Sequence, residues 1–170
     1  RVSHKPATGA SRSFTTIAGC GGLVIPLSEQ LTWKIALDYA ERAPVGEELY
    51  SFGPHLATNR FEIGDAALDE EKVLSATLGL SYSNTPWDIT VSVYYSDFKD
   101  FIYQNADNRE LDELPVFLWE QDDATFTGID GEIIYTTGLF GERDLSFRGF
   151  FDVVRADIDA PTESNLPLIP

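Results

Sequence analysis

Between Glu41 and Lys72 the chain reads ERAPVGEELYSFGPHLATNRFEIGDAALDEEK, which sets His55 among Glu47, Glu48, Glu62 and Asp65. Imidazole completed by carboxylates is a donor set that zinc and related divalent ions accept. All five residues lie within one connection and can converge, so they are the candidate metal ligands. The competing reading of His55 is a side chain that packs or hydrogen-bonds within an ordered loop. Gly53 and Pro54 read as turn formers that set the direction of His55, and Gly64 as the residue that permits a turn before the next element. Arg42 reads as structural, at an inward strand end where it pairs with a carboxylate of a neighbouring strand or domain. Asp122 and Asp123 read as a solvated acidic pair, with a weak calcium or zinc contact as the alternative. His4 reads as a solvated loop residue, and Cys20, with no second Cys or His at ligand spacing, as a small strand residue.

Catalytic constellations are missing from the sequence. It has no Gly-x-Ser-x-Gly elbow, no phosphate-binding glycine loop and no His-Glu-x-x-His, and no spacing selects two of its many carboxylates as a glycosidase pair. An enzyme is not expected, nor is a required cofactor. With 28 acids against 12 bases the formal charge is −16. That disfavours nucleic acid, which needs a basic surface, and is compatible with a cation as ligand, although acidity that merely keeps a surface soluble explains it too.

The elements that must carry the loop have strand periodicity. Leu31, Trp33, Ile35, Leu37 and Tyr39 alternate with Thr32, Lys34, Ala36, Asp38 and Ala40. Leu74 to Tyr82, Trp87 to Tyr95, Ile129 to Tyr135 and Leu145 to Val153 repeat the pattern, with one face apolar and the other small or charged. A glycine-rich strand of uncertain register is expected within 12–25. The reading is all-β, about six antiparallel strands. Short connections near 26–30, 84–86 and 138–144 would lie at one rim, and long ones at 43–70, 104–114 and from 159 onward at the other. Tyr39, Tyr82, Trp87, Tyr95 and Tyr135 fall near strand ends, where an amphipathic ring suits a membrane interface. Short turns at one rim and long loops at the other are the pattern of an outer-membrane β-barrel. Six strands close no channel, so the chain would be an arc of such a barrel. A soluble β-sandwich binding sugar or protein through its loops shares the alternation and is the alternative; a porin-like barrel without an internal domain is a third. No run approaches the eighteen apolar residues of a helical span, which says nothing against barrel strands. The chain starts at Arg1 without a charged-then-apolar leader and reads as a mature or excised piece.

The segment from Glu41 to Glu71, followed by LSATLGLSYSNTPWDITVSVYYSDFKDFIYQ, resembles the barrel of TonB-dependent outer-membrane receptors. Tyr94 to Tyr103 (YYSDFKDFIY) and Ala124 to Glu132 (ATFTGIDGE) are similar to the two strands that follow in such receptors. The run GPHLATN resembles the zinc-uptake branch. There a second histidine sometimes stands at the position held here by Phe52. The resemblance implies a partial barrel over 1–170, bedded in outer-membrane lipid of a bacterial cell. It further implies a plug domain inside the barrel, coupling to TonB through parts outside this chain, and uptake of a scarce nutrient such as zinc or a metal complex.

Overall fold

The computed structural model describes residues 12–139 and 143–159. His4, in 1–11, and the closing stretch 160–170 lie outside the described residues. The elements run β1 (Ala18–Pro26), β2 (Leu31–Arg42), α1 (Gly46–Tyr50), β3 (Phe52–His55), β4 (Arg60–Ile63), β5 (Glu71–Asn84), β6 (Trp87–Leu111), β7 (Leu114–Leu139) and β8 (Arg143–Ile158). They form one sheet in the order β1-β2-β5-β6-β7, with β8 and β4 both on the far edge of β7 and β3 beyond β4. The six long strands are the six that the alternation predicts, and all pair antiparallel with their sequence neighbours. The first is shorter than expected: 12–17 stays outside it, and Ile17 exchanges backbone and side-chain bonds with Glu41 instead.

The register puts every predicted apolar residue on one face. Ile35 faces Leu78, Leu78 faces Val93, Val93 faces Ile129 and Ile129 faces Val153. On the first strand Leu23 and Ile25 continue the row against Ile35 and Trp33. This face is open: Trp33, Leu37, Leu74, Leu78, Val93, Phe147, Phe151 and Val153 are all exposed. A sandwich would set a second sheet there, and the described strands make only one sheet. From Trp87 to Tyr95 the band is nine residues tall, the length a tilted strand needs to cross a bilayer. Trp87 packs at a tilt against its cross-strand partner Tyr135 with centroids 4.6 Å apart, marking the rim of short turns. The other face carries Thr32, Lys34, Ser75, Thr77, Ser81, Thr90, Ser92 and Asp130. Glycines let aromatic rings lie flat on β7 from both sides: a Cβ at Gly128 would fall 2.3 Å from the Tyr94 ring, and one at Gly131 would fall 2.4 Å from that of Phe151.

The long connection expected at 104–114 is a correction. The strands continue through it, and β6 and β7 are joined by the two-residue turn Asp112–Glu113 between the paired Leu111 and Leu114. Both turn residues have positive φ, 52° and 64°, as a two-residue hairpin of this hand demands. Polar residues extend the ladder here because these parts of the strands lie beyond the apolar band. Register shifts at Phe98/Phe101 and Ala106/Glu110 bend the extension. Its lower part is stiffened by Phe98, Phe101 and Phe126, whose ring centroids lie 5.1 to 5.4 Å apart.

Candidate functional site

The loop 43–70 is folded. Its foot is built on Arg42, the last residue of β2. The Arg42 Nη1 donates to both carboxylate oxygens of Glu48 at 3.0 Å, while Nε and Nη2 donate to Glu71, the first residue of β5, at 3.3 and 3.2 Å. Glu48 is 6% exposed and Glu71 9%. Each also accepts a backbone N–H: Glu48 from Val45 at 2.8 Å, which caps α1, and Glu71 from Ile102 on β6 at 3.0 Å. Burial works against the Arg42 charge, but the bonds and charges of Glu71 and then Glu48 outweigh it and raise its pKa. Arg42 therefore has the structural pairing expected of it.

From that foot, α1 buries Leu49 against Leu68 and Ile102, with Phe14, Tyr50 and Trp119 around them. Gly64 permits this by close approach: a Cβ there would meet the backbone of Glu48, Leu49 and Tyr50 at 2.7 to 2.8 Å. Arg12 ties down the return of the loop, donating to the carbonyls of Ala66 and Leu68 and to the Asp69 carboxylate. Gln121 holds Asp69 through both its backbone N–H and its carbonyl, at 2.8 Å each.

The crown of the loop is the hairpin β3–β4, which adds two strands to the edge of the β6–β7 extension through a parallel pairing of 61–63 with 116–118. Gly53 and Pro54 belong to strand β3, paired with Glu62 and Phe61, and not to a turn. The turn is at 56–59, ending on Asn59 with φ 54°. Beneath it Val116 is 1% exposed and Phe61 4%, and Phe52 meets Phe61 edge-on at 5.4 Å.

Of the five predicted ligands, the crown brings two together. His55 Nδ1 lies 3.0 Å from Glu62 Oε1 and 3.1 Å from Thr58 Oγ1. The His55 side chain is 50% exposed and that of Glu62 9%. The other three do not join them. Glu48 is engaged by Arg42, and Glu47 sits exposed on α1. Asp65 accepts the Ala67 N–H at 2.8 Å in a local turn. Among the described residues no group of three or more His, Cys, Asp or Glu stands close enough to hold a metal ion. Asp122 and Asp123 are divided between partners: Asp122 accepts the Tyr103 hydroxyl at 2.6 Å and Asp123 the Lys99 ammonium at 2.6 Å. Burial, and then the bond to Asp122, raise the Tyr103 pKa well above the usual phenol value. The Lys99 bond holds the Asp123 carboxyl below its usual range, opposed by partial burial and helped by the Asp100 N–H.

One charged side chain of the crown escaped the sequence reading. Arg60, the register partner of His55, lies with its guanidinium 4.0 Å from the Phe117 ring centroid and donates to Gln104 at 3.2 Å. Among the described residues it has no carboxylate partner. The signal was present: Arg60 is the sole Lys or Arg between Ala43 and Glu71, amid seven acids.

The chain matches the family described as TonB dependent receptor-like, beta-barrel, over residues 2–170. Among solved structures it is similar to the "Copper transporter OprC", with 22% identity, a TM-score of 0.57 and a match covering 80% of this chain and 20% of that one. It is also similar to the siderophore receptor PirA from Pseudomonas aeruginosa, with 18% identity, a TM-score of 0.55 and coverage of 83% and 27%. At those identities the likeness shows a shared fold, and the chain spans only about a fifth to a quarter of either structure. With the family matched over almost every residue, and one sheet apolar on a single open face, this chain belongs to the TonB-dependent receptor β-barrels.

Proposed function

We propose that the chain is the wall and recognition loop of an outer-membrane receptor that takes up a scarce nutrient, a metal ion such as zinc or a metal complex, with energy delivered through TonB. One observation carries the reading. The continuous open apolar band of six strands is capped, at the rim opposite the short turns, by a loop folded onto a tall hairpin. The band suits the lipid of a bacterial outer membrane, and the small polar face suits a lumen holding a plug domain. The loop is then external, and its crown meets the substrate. The neighbouring structures are titled as a copper transporter and a siderophore receptor, which favours metal nutrients over other cargo. The reading assigns the protein no enzymatic role.

In this reading His55 and Glu62 offer two donors to a metal that arrives with other ligands or completes its shell from parts of the receptor beyond this chain. Glu48, held by Arg42, and Asp65, held in its turn, support the loop and are not themselves ligands. The test uses the full-length receptor. Cells expressing it should accumulate the metal nutrient only when TonB is present, and His55→Ala should weaken zinc affinity at least tenfold; an unchanged affinity removes His55 from the ligand set.

A further inference from the structure

The geometry points to a lipid site on the apolar wall of the barrel: a groove between β1 and β2 that takes the upper part of an acyl chain, with the phosphate of the same lipid on Lys72. This inference goes beyond the uptake reading and rests on the barrel fold alone.

The groove measures about 420 Å³ and lies among Ile17, Gly19, Leu37, Tyr39 and Leu74. The register sets its height. Gly19 faces Tyr39 and Tyr39 faces Leu74, while one row lower Leu37 is in line with Ala76, Tyr95 and Thr127. The groove therefore opens on the apolar face at the level of the aromatic row. Glycine gives it depth. A Cβ at Gly19, or at Gly21 opposite Leu37, would meet nothing within 4 Å. Packing within the described residues requires glycine at neither position, and a side chain at Gly19 would stand in the groove. Its upper end is closed by Glu41, which accepts the Tyr39 hydroxyl at 2.5 Å and the Ile17 N–H at 3.0 Å and so holds one wall in place.

In a bilayer this face meets hydrocarbon. An apolar hollow draws no water, and its walls forfeit their contacts if it stays empty. An acyl chain is the occupant that the surroundings supply. Apolar contact alone does not hold one lipid over its neighbours, because the tails are as apolar as the wall. Retention needs shape and a charge at the right height, and Lys72 supplies the charge. It is exposed, on the same face as Leu74 and one row above it, between Glu41 and Lys99. Two strand residues advance ~7 Å, which sets the ammonium just beyond the closed end of the groove. Lys99 is engaged by Asp123 at 2.6 Å, and Glu41 by Tyr39 and Ile17. Lys72 makes no ion pair among the described residues and can take a phosphate as a point charge.

The experiment is native mass spectrometry of the detergent-purified full-length receptor titrated with dioleoylphosphatidylglycerol. The wild type should keep one lipid per receptor above the random background. Gly19→Leu, which fills the groove, should weaken that binding tenfold or more. Lys72→Gln should weaken it three- to fivefold. Val93→Ala, on the same face but outside the groove, should leave it unchanged, with strand content by circular dichroism equal in all variants. Binding that survives Gly19→Leu, or that Val93→Ala weakens as much, overturns the site, and indifference to Lys72→Gln overturns the phosphate assignment. A doubled mass that Gly19→Leu abolishes would make the groove a contact between two copies and also overturn it. Metal uptake does not enter the measurement, so the uptake reading and this inference fail separately.

Discussion

Arg42 and Arg60 stand at the two ends of one loop and have opposite surroundings. Arg42 is enclosed by two nearly buried carboxylates and spends its donors on them. Arg60 rests on an aromatic ring, shares one donor with a neutral amide and makes no ion pair among the described residues. In a chain with more than twice as many acids as bases, the second arrangement is the one that calls for a reason. The foot is saturated and gives the loop a fixed base. At the crown Arg60 leaves Nε and Nη2 without a hydrogen bond among the described residues. The recognition role proposed for the loop needs both properties, and here they occupy different residues, so each can be removed without the other.

The sharpest break of that contrast is Arg42→Ala. It leaves Glu48 and Glu71 buried without a counter-charge, and breaking a buried pair costs about 3–5 kcal/mol. Arg42 is itself 41% exposed, so the lower end is expected, about 3 kcal/mol, read as lost hydrogen-exchange protection across 43–70. The barrel strands should keep theirs. If Arg60→Ala exposes the loop to the same degree, the division between foot and crown is wrong. Next in size is Gly64→Ala, where a methyl group meets backbone and not a yielding side chain. Overpacking of this kind costs about 1–3 kcal/mol and should loosen α1 while sparing the β3–β4 pairing, visible as protease cleavage near 46–50 before cleavage at 60–63.

The strands were legible because period-two alternation reports directly on a sheet with one lipid-facing side. The inside of the loop was not. Parallel pairing of 61–63 with 116–118 joins segments more than fifty residues apart, and no local pattern announces it. The hairpin tip was missed because Leu111-Asp-Glu-Leu114 contains no glycine or asparagine, the usual sign of positive φ. Spacing along the chain offered Glu47, Glu48, Glu62 and Asp65 alike as partners of His55, and the fold brings only Glu62 to it. Spacing could not show that Arg42 engages Glu48, or that Asp65 folds back on its own backbone. Arg60 carries the charge that a cation site excludes, so a pattern of metal ligands does not point to it.

A smaller effect sharpens the contrast from a third place, the base of the hairpin. Asp123 has its pKa lowered by Lys99, so its contribution is present above the unfolded value, near 4, and is lost as pH falls through the lower folded value. Acidification below about pH 4 should therefore weaken the contact between Lys99 and Asp123, and Asp123→Asn should abolish that pH dependence. Hydrogen exchange at 99–101 and 122–124, corrected for intrinsic rates, is the measurement. Both partners are largely exposed, with side chains 56% and 41% accessible, so the change should be the smallest of the three.

The tall β6–β7 hairpin has a consequence for ionic conditions. Thr127 lies opposite Tyr95 in the aromatic row, and Phe117, under Arg60, is ten residues further along β7. At ~3.3 Å per residue, that is ~33 Å along the strand, and about 25 Å of height once a tilt of about 40° is allowed for. The screening length in physiological salt is ~8 Å, so in the proposed placement, with the lipid surface at the aromatic row, the crown stands roughly three such lengths above it. Its affinity should respond to the ionic strength of the surrounding fluid and ignore the charge of the lipids below, so that a binding constant measured in neutral detergent carries over to an anionic membrane.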